Sequence, residues 1–346
     1  MFDFAMGNPP YQESPTDDSK SFMPQIYHKF LDMSYEIAGK SLQIHPGRFL
    51  FNAGSTPVAW NKKMLENSHF AVMEYNPNSA SVFTGDVGIT GGIAVTYYDK
   101  DREFDPIIVY TAFPELRSIL IKVKETTTFE SFSTIVANRG LYRFSDLVYI
   151  DYPDMMSQFT DSRISPSAFD KLSTLFMEEK PVDKYEYVRV YGILDGQRVY
   201  RWFRQDYMNF VDGFDKWKVF VPKANGSGAI GEGVSTTVIG PPVVGDPGVG
   251  HTESFLTIGC FDTENEACAC LKYIKSRFAR LMLGILKVTQ NSSSKTYELV
   301  PLQDFTIRSD IDWSQSIFGI DQQLYMKYGL DDNEIAFIES HIKEME

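Results

Sequence analysis

Apolar residues repeat along this chain with two different periods, and the switches between them outline its elements. Phe2-Asp3-Phe4-Ala5-Met6 alternates as a short strand. It runs straight into Gly7-Asn8-Pro9-Pro10-Tyr11, which continues neither a ladder nor a helix because the prolines fix φ and lack a donor. From about residue 22 to 38 the period lengthens, with Ile26, Phe30, Met33 and Ile37 at helical spacing. Strands follow at Ser41 to Ile44, His69 to Tyr75 and Ile93 to Tyr98, separated by a helix around Val58 to Leu65 and by the glycine-rich stretch Gly85 to Gly92. Strand alternating with helix predicts a parallel-rich α/β sheet.

Past Asp99-Lys100-Asp101-Arg102-Glu103 the texture changes to aromatic-rich strands with long irregular connections, which predicts a boundary between residues 1–103 and 104–346, the second part mixed α+β. Tyr185 to Ile193 and Arg198 to Phe203 flank Asp195-Gly196, a strong hairpin signal. Lys218 to Pro222 and Phe255 to Phe261 read as further strands, and residues 225–250, dense in Gly, Pro, Val and Ser, as a loop between them. Thr263 with Glu266 forms a capping box, opening a helix whose stripe Ala267, Leu271, Ile274, Phe278, Leu281 and Ile285 predicts one continuous element. A last helix starts near Asp332, with Ile335, Ile338, Ile342 and Met345 at helical spacing.

The 346 residues suit about two domains, and 43% hydrophobic with 23% charged residues is ordinary globular usage, against disorder or fibrous repeats. The run Leu281 to Leu286 falls far short of the ~20 residues that span a bilayer, so no membrane segment is expected. No basic stretch followed by an apolar run opens the chain, which points to the cytoplasm. The three cysteines read as small buried thiols, and the five histidines show no zinc-like spacing, so no metal is expected.

A formal charge of -13 excludes a uniformly basic nucleic-acid binder but not a local basic surface. Lys272 to Lys295 holds six basic residues and no acidic one, and at about 100° per residue Lys272, Arg280 and Lys287 fall opposite the apolar stripe. Arg189 to Lys223 holds seven basic residues against four acidic, with Arg198, Arg201 and Arg204 interleaved among Tyr200, Trp202, Phe203 and Tyr207, a mixture suited to phosphates and bases. A solvated helix face and an aromatic core strand are the plain alternatives. Ten acidic and three basic residues between Asp304 and Glu346 carry -7 of the total, leaving the preceding helix, on this reading, free to be a positive surface.

The chemistry concentrates in Asn8-Pro9-Pro10-Tyr11. The Asn8 side-chain oxygen and the Pro9 carbonyl, held by a rigid turn, can both accept from one planar NH2 group and so aim its nitrogen lone pair, while Tyr11 offers a ring on which a base can stack. A rigid turn without chemistry would use the same letters. Placed after an apolar strand, the segment resembles the fourth motif of the amino-methyltransferases that use S-adenosylmethionine. Its large C-terminal remainder resembles the adenine-specific DNA methyltransferases of bacterial restriction-modification systems. Leu42-Gln43-Ile44-His45-Pro46, Asn78 to Phe83 with Ile89 to Gly92, and the ending from Thr289-Gln290 through Trp313 to Tyr328-Gly329-Leu330 are similar as well.

The resemblance implies methyl transfer from S-adenosylmethionine to the exocyclic amine of a flipped adenine, gripped by Asn8, Pro9, Pro10 and Tyr11. Tyr97 is a candidate second stacking ring, and a C-terminal target-recognition domain would bind double-stranded DNA. One departure matters. In that group the cofactor-binding strands and their glycine-rich loop precede the turn, whereas only seven residues do so here. The expected fold is therefore an incomplete class I methyltransferase sheet lacking its first strands. It would leave an apolar sheet edge for an N-terminal methyltransferase half, another subunit or a second copy. Gly226-Ser227-Gly228-Ala229-Ile230-Gly231 matches a phosphate-loop spacing, but Val234 to Ile239 after it reads as β or loop rather than helix, so no cofactor role is expected there. The competing expectation is a non-catalytic DNA-recognition or assembly subunit that keeps the turn.

Overall fold

A computed structural model describes residues 2–13, 24–51, 55–76, 79, 82, 89, 92–104, 107, 109–111, 113–126, 129–225, 230, 235–287 and 290–346. Of the glycine-rich stretches Gly85 to Gly92 and Gly226 to Gly231, Ile89, Gly92 and Ile230 are described and the rest lie outside these residues, as do most of Asn78 to Phe83. The chain divides into two compact units, Met1–Pro114 and Glu115–Glu346. The division falls later than the change of texture after residue 103. Ile107 is buried in the core of the first unit and Tyr110 packs against that core, which keeps the connecting segment there.

In the first unit β1 (Phe2–Gly7), α1 (Tyr27–Ile37), β2 (Ala38–Pro46), α2 (Val58–Leu65), β3 (Phe70–Asn76) and β4 (Ile93–Asp99) form a four-stranded sheet of order β1-β2-β4-β3. The hydrogen-bonded pairs are not parallel-rich as expected: β1 pairs with β2 in parallel, but β2 and β3 both pair antiparallel with β4. β4 inserts between two strands that run the same way, so β1, β2 and β3 point together and β4 alone is reversed.

The core is aromatic: Tyr27 stacks on His45 with ring centroids 5.3 Å apart, and Phe49, Trp60 and Phe70 close around them. Burying such rings contributes roughly 1.5–3 kcal/mol each. The buried stripe of α1 is Tyr27, Leu31 and Ser34, not the predicted one. Ser34 Oγ lies 2.9 Å from Ser41 Oγ on β2, and this seating turns Phe30, Met33 and Ile37 outward, at 39%, 56% and 47% exposure. The helix also starts late. Tyr11 O accepts from the Ile26 amide at 3.0 Å and Gln12 bridges Gln25, so the chain just before Tyr27 is held in a bridge rather than in the helix.

The second unit contains α3 (Pro114–Glu125), β5 (Arg143–Phe144), α4 (Asp146–Asp151), α5 (Pro153–Met156), α6 (Ala168–Lys171), β6 (Tyr187–Leu194), β7 (Gln197–Arg204), β8 (Met208–Asn209), β9 (Trp217–Pro222), β10 (Val243–Gly245), β11 (Val249–His251), β12 (Phe255–Phe261), α7 (Glu264–Lys275), α8 (Arg277–Leu286), α9 (Ile317–Lys327) and α10 (Asp332–His341). The β6–β7 hairpin turns at Asp195 and Gly196 with φ of 50° and 75°, the positive values that favour this dipeptide. Its inner face, with Phe203 fully buried, lies on a core of Phe144, Phe169, Phe176 and Tyr207.

The stretch 225–250 is not loop throughout. It adds β10 to β9 and lays β11 parallel to β6, where Gly245 admits the Phe220 ring within 2.6 Å of the place a Cβ would occupy. The long helix predicted from Thr263 is two helices, broken at Ser276: the Ser276 hydroxyl accepts from Ala279 N, and Asp321 accepts from the amides of Arg277 and Phe278, both at 3.0 Å. Of the cysteines only Cys270 is buried, whereas Cys260 is exposed on the irregular end of β12 and Cys268 is half-buried. Among the described residues no helix is long and apolar enough to cross a membrane.

Candidate functional site

The Asn8–Tyr11 turn begins where β1 ends. β1 and β2 run parallel with α1 between them, and open α/β sheets hold ligands outside the carboxyl ends of such strands. Gly7 lets β1 close there: a Cβ at this position would stand 3.0 Å from Oε1 of Gln43, whose amide is itself held by Ser41 Oγ at 3.0 Å. Beyond the turn, Glu13 N donates to Pro24 O at 3.1 Å, which with the Tyr11–Ile26 bond fixes both ends of the segment.

Asn8 and Pro10 are exposed, Pro9 and Tyr11 half-buried. The Tyr11 ring packs against the aromatic core, and its hydroxyl is shut off from solvent with the Asn8 side chain as its polar neighbour. Burial raises its pKa, and the nearby Asn8 side chain offsets part of the rise. The Tyr11 ring is thus partly committed to the fold, while the Asn8 amide is open.

Tyr97 sits in β4, which runs against β2, in register with Leu42 and through it with Met6 of β1, and its hydroxyl donates to Asp99 at 3.0 Å. Its ring faces Phe4 at 6.5 Å. The aromatic residues at the carboxyl ends of β2 and β3 are Phe51, Tyr75 and Tyr110, with centroids 5.3–5.6 Å apart. Tyr75 stands near the carboxyl end of β3, a strand that runs with β1.

The cations expected to face DNA in the second unit have mixed fates. Lys272 donates to the carbonyls of Trp313 and Gln315 at 2.7 and 2.9 Å, Lys275 to Glu346 O at 2.6 Å, and Arg277 pairs with Glu344 at 3.4 Å. Arg280 has no exposure and Lys287 5%. The acidic C-terminal stretch therefore does not leave this basic face free; it packs on the face, and Arg280 and Lys287 lie beneath the surface. Of the six basic residues in that run, Lys295 stays exposed without an ion pair among the described residues.

On the hairpin Arg204 is spoken for by Asp206 at 2.6 Å, with its guanidinium 3.5 Å from the Tyr185 ring centre. Arg198 is exposed with one bond to Pro241 O, Arg201 is half-exposed, and Arg189 pairs with Asp246 at 2.7 Å over the Tyr200 ring. A concentration of charge that sequence order hid lies elsewhere: Arg139, Arg143, Arg163 and Lys223 gather around Glu253 and Asp161.

The turn can accept from a planar amine, and the cations can meet an anion; comparison with known families gives these a context. Residues 1–83 match the Eco57I restriction-modification methylase family model. The match covers β1, the Asn8–Tyr11 turn and the chain through β3, and it supports a methylase of restriction-modification systems, hence DNA methylation. A comparison with curated proteins found no match. Methylases as a class draw on S-adenosylmethionine. The described residues around the turn do not enclose such a group: Asn8 and Pro10 are open, and β1 is an edge strand with Phe2, Phe4 and Met6 at 69%, 47% and 76% exposure.

Proposed function

We propose that this chain carries the target-amine turn and the DNA-recognition unit of an adenine-specific DNA methyltransferase of a restriction-modification system. The single observation that carries the reading is the position of Asn8–Tyr11 at the carboxyl end of a strand in a parallel pair, within the segment that matches the methylase model. Asn8 Oδ1 and the Pro9 carbonyl accept the two N–H groups of an adenine flipped out of the helix, and the nitrogen lone pair then points out of the turn. Phe51, Tyr75 and Tyr110 join Tyr97 as candidates for the second stacking face, because they pack with Tyr11 around one aromatic core.

The methyl donor is brought by a segment that docks on the β1 edge. An edge that pairs with no further strand among the described residues and the exposed Phe2, Phe4 and Met6 support that docking, since an apolar edge strand invites another strand. The reading belongs to the class I methyltransferase architecture, to which β1-β2-β4-β3 contributes four strands.

Methyl transfer from labelled S-adenosylmethionine to duplex DNA by the assembled methylase, with the modified bases mapped, tests it. Asn8→Ala should lower adenine labelling by about 100-fold or more, the scale on which one polar group that positions the reacting atoms acts, with duplex affinity within about two-fold of wild type. Full labelling by the variant would refute these roles of Asn8 and Pro9, and label on cytosine alone would refute adenine as the target. The openness of the turn favours a second reading, a non-catalytic recognition or assembly subunit. The same variant separates the two, since an assembly in which this chain only recognises DNA would methylate fully with Asn8→Ala.

A further inference from the structure

Four basic side chains that are far apart in sequence meet on one face of the second unit. Arg139 lies in the turn before β5, Arg143 on β5, Arg163 opposite it, and Lys223 just after β9. Arg143 and Arg163 are bridge partners, so two like charges stand directly across from one another, an arrangement that costs stability unless something offsets it. The offset within the chain is partial. Arg163 holds Asp161 through Nε at 2.8 Å and Glu253 through Nη1 at 3.2 Å, and Arg139 holds the same Glu253 through Nε at 2.9 Å. Arg143 donates, among the described residues, to the hydroxyl of Ser162 alone, at 3.2 Å, and meets Asp161 by charge only. Four cations therefore share two carboxylates. The excess is felt at Lys223, whose pKa is lowered by burial and by Arg139 and Arg163, with Glu253 opposing.

The surface is built rather than incidental. Gly140, at φ +72°, passes the chain so close to Arg163 that a Cβ would fall 2.5 Å from its Cδ, which fixes the two arginine-bearing segments against each other. Segment 290–295 borders both sides of the cluster: Ser292 N donates to Lys223 O at 2.7 Å, and Ser294 Oγ to Asn138 Oδ1 at 3.3 Å. That segment carries Lys295, the exposed cation of the 272–295 run.

We propose that Arg139, Arg143 and Lys223, anchored by Arg163 on Glu253 and extended by Lys295, form the phosphate-contact surface for duplex DNA. Arg139 and Arg143 are exposed and carry the contacts, and Arg163 positions them. Uncompensated positive charge on a rigid face is what a phosphate backbone stabilises by releasing its counterions. The inference rests on the DNA-methylase reading, which it deepens by naming the surface.

Fluorescence anisotropy of a mixed-sequence 30-base-pair duplex against the full chain, from about 50 to 200 mM salt, tests both separately. Wild type should bind with a salt slope that Arg139→Ala/Arg143→Ala reduces by about two, with affinity down at least about ten-fold at low salt. Arg143→Glu alone, changing an exposed side chain with one hydroxyl partner, should weaken binding without lowering the thermal midpoint, since it removes the like-charge pair with Arg163. If wild type binds and both variants match it in affinity and slope, this surface is wrong and the DNA reading survives. If wild type binds no duplex, both fall. Equal binding of polyglutamate would also overturn the proposal, because a surface spaced for phosphates discriminates against a flexible polycarboxylate.

Discussion

Arg280 is held inside the second unit by backbone carbonyls: its Nε donates to Lys275 O and Ser276 O at 2.9 and 3.2 Å, and Nη1 to Thr237 O at 3.3 Å. Burial lowers its pKa to about 10, with Asp321 opposing. Arg280→Glu would aim a carboxylate at those carbonyls and leave a buried charge unpaired, so a loss of roughly 3–5 kcal/mol and a much lower thermal midpoint are expected. Arg280→Met, of similar length and uncharged, should fold within about 2 kcal/mol of wild type and bind duplex DNA with an unchanged salt slope. A thermal melt and an anisotropy titration of the two variants check this. The contrast with Asn8 shows which residues a sequence discloses. Asn8-Pro9-Pro10-Tyr11 was legible because two adjacent prolines fix the local backbone whatever surrounds it. A helical projection told where Arg280 leaves its helix but not that Thr237 covers it. The strand that carries Tyr97 was legible as well, but only the pairing shows that β4 runs against its neighbours.

At the level of elements, local signals were read well and long-range ones were not. The α2 helix and the β6–β7 hairpin stand where periodicity and Asp195-Gly196 put them, and Thr263 with Glu266 makes both bonds of the capping box. The break between α7 and α8 was invisible because the apolar stripe runs through it. Ser276 and a carboxylate brought by α9 create the second start. Asp321 is 2% exposed and accepts two amides that no helical carbonyl serves, an N-terminal cap supplied from outside the helix. Asp321→Ala should therefore cost about 2–4 kcal/mol, the sum of two stranded donors, and free α8 from α9. Asp321→Asn keeps one acceptor and should cost less than half as much. Urea midpoints, with hydrogen exchange at Arg277 and Phe278, measure both. Equal loss in the two variants would mean that side-chain packing rather than capping holds α9 in place.

For the molecule as a whole, charge has an address that the total of -13 conceals: residues 115–303 carry 22 basic and 23 acidic residues, nearly balanced, and the acidic excess of that unit lies in 304–346. The two units should also part company in acid. His45 and His251 are built alike, both buried, each with Nδ1 at a backbone carbonyl and Nε2 at a threonine hydroxyl. Desolvation depresses both to about 4. A histidine ordinarily titrates near 6.5, so between about pH 6.5 and 4 the unfolded chain binds the extra proton and stability falls as pH falls, by up to about 3 kcal/mol per ring. Asp321 opposes this in the second unit. Burial raises it to about 6, so the folded form binds the extra proton between about pH 4 and 6, and its contribution grows as pH falls through that window. His251 and Asp321 nearly cancel there, whereas the first unit has His45 with no raised carboxylate among its described residues. Acidification from pH 7 to 4.5 should therefore lower amide protection in β2 and β4 while leaving β9 and β12 little changed, as hydrogen exchange would show. His45→Gln, which cannot take up the proton, should flatten the response of the first unit, and Asp321→Asn should expose a response in the second.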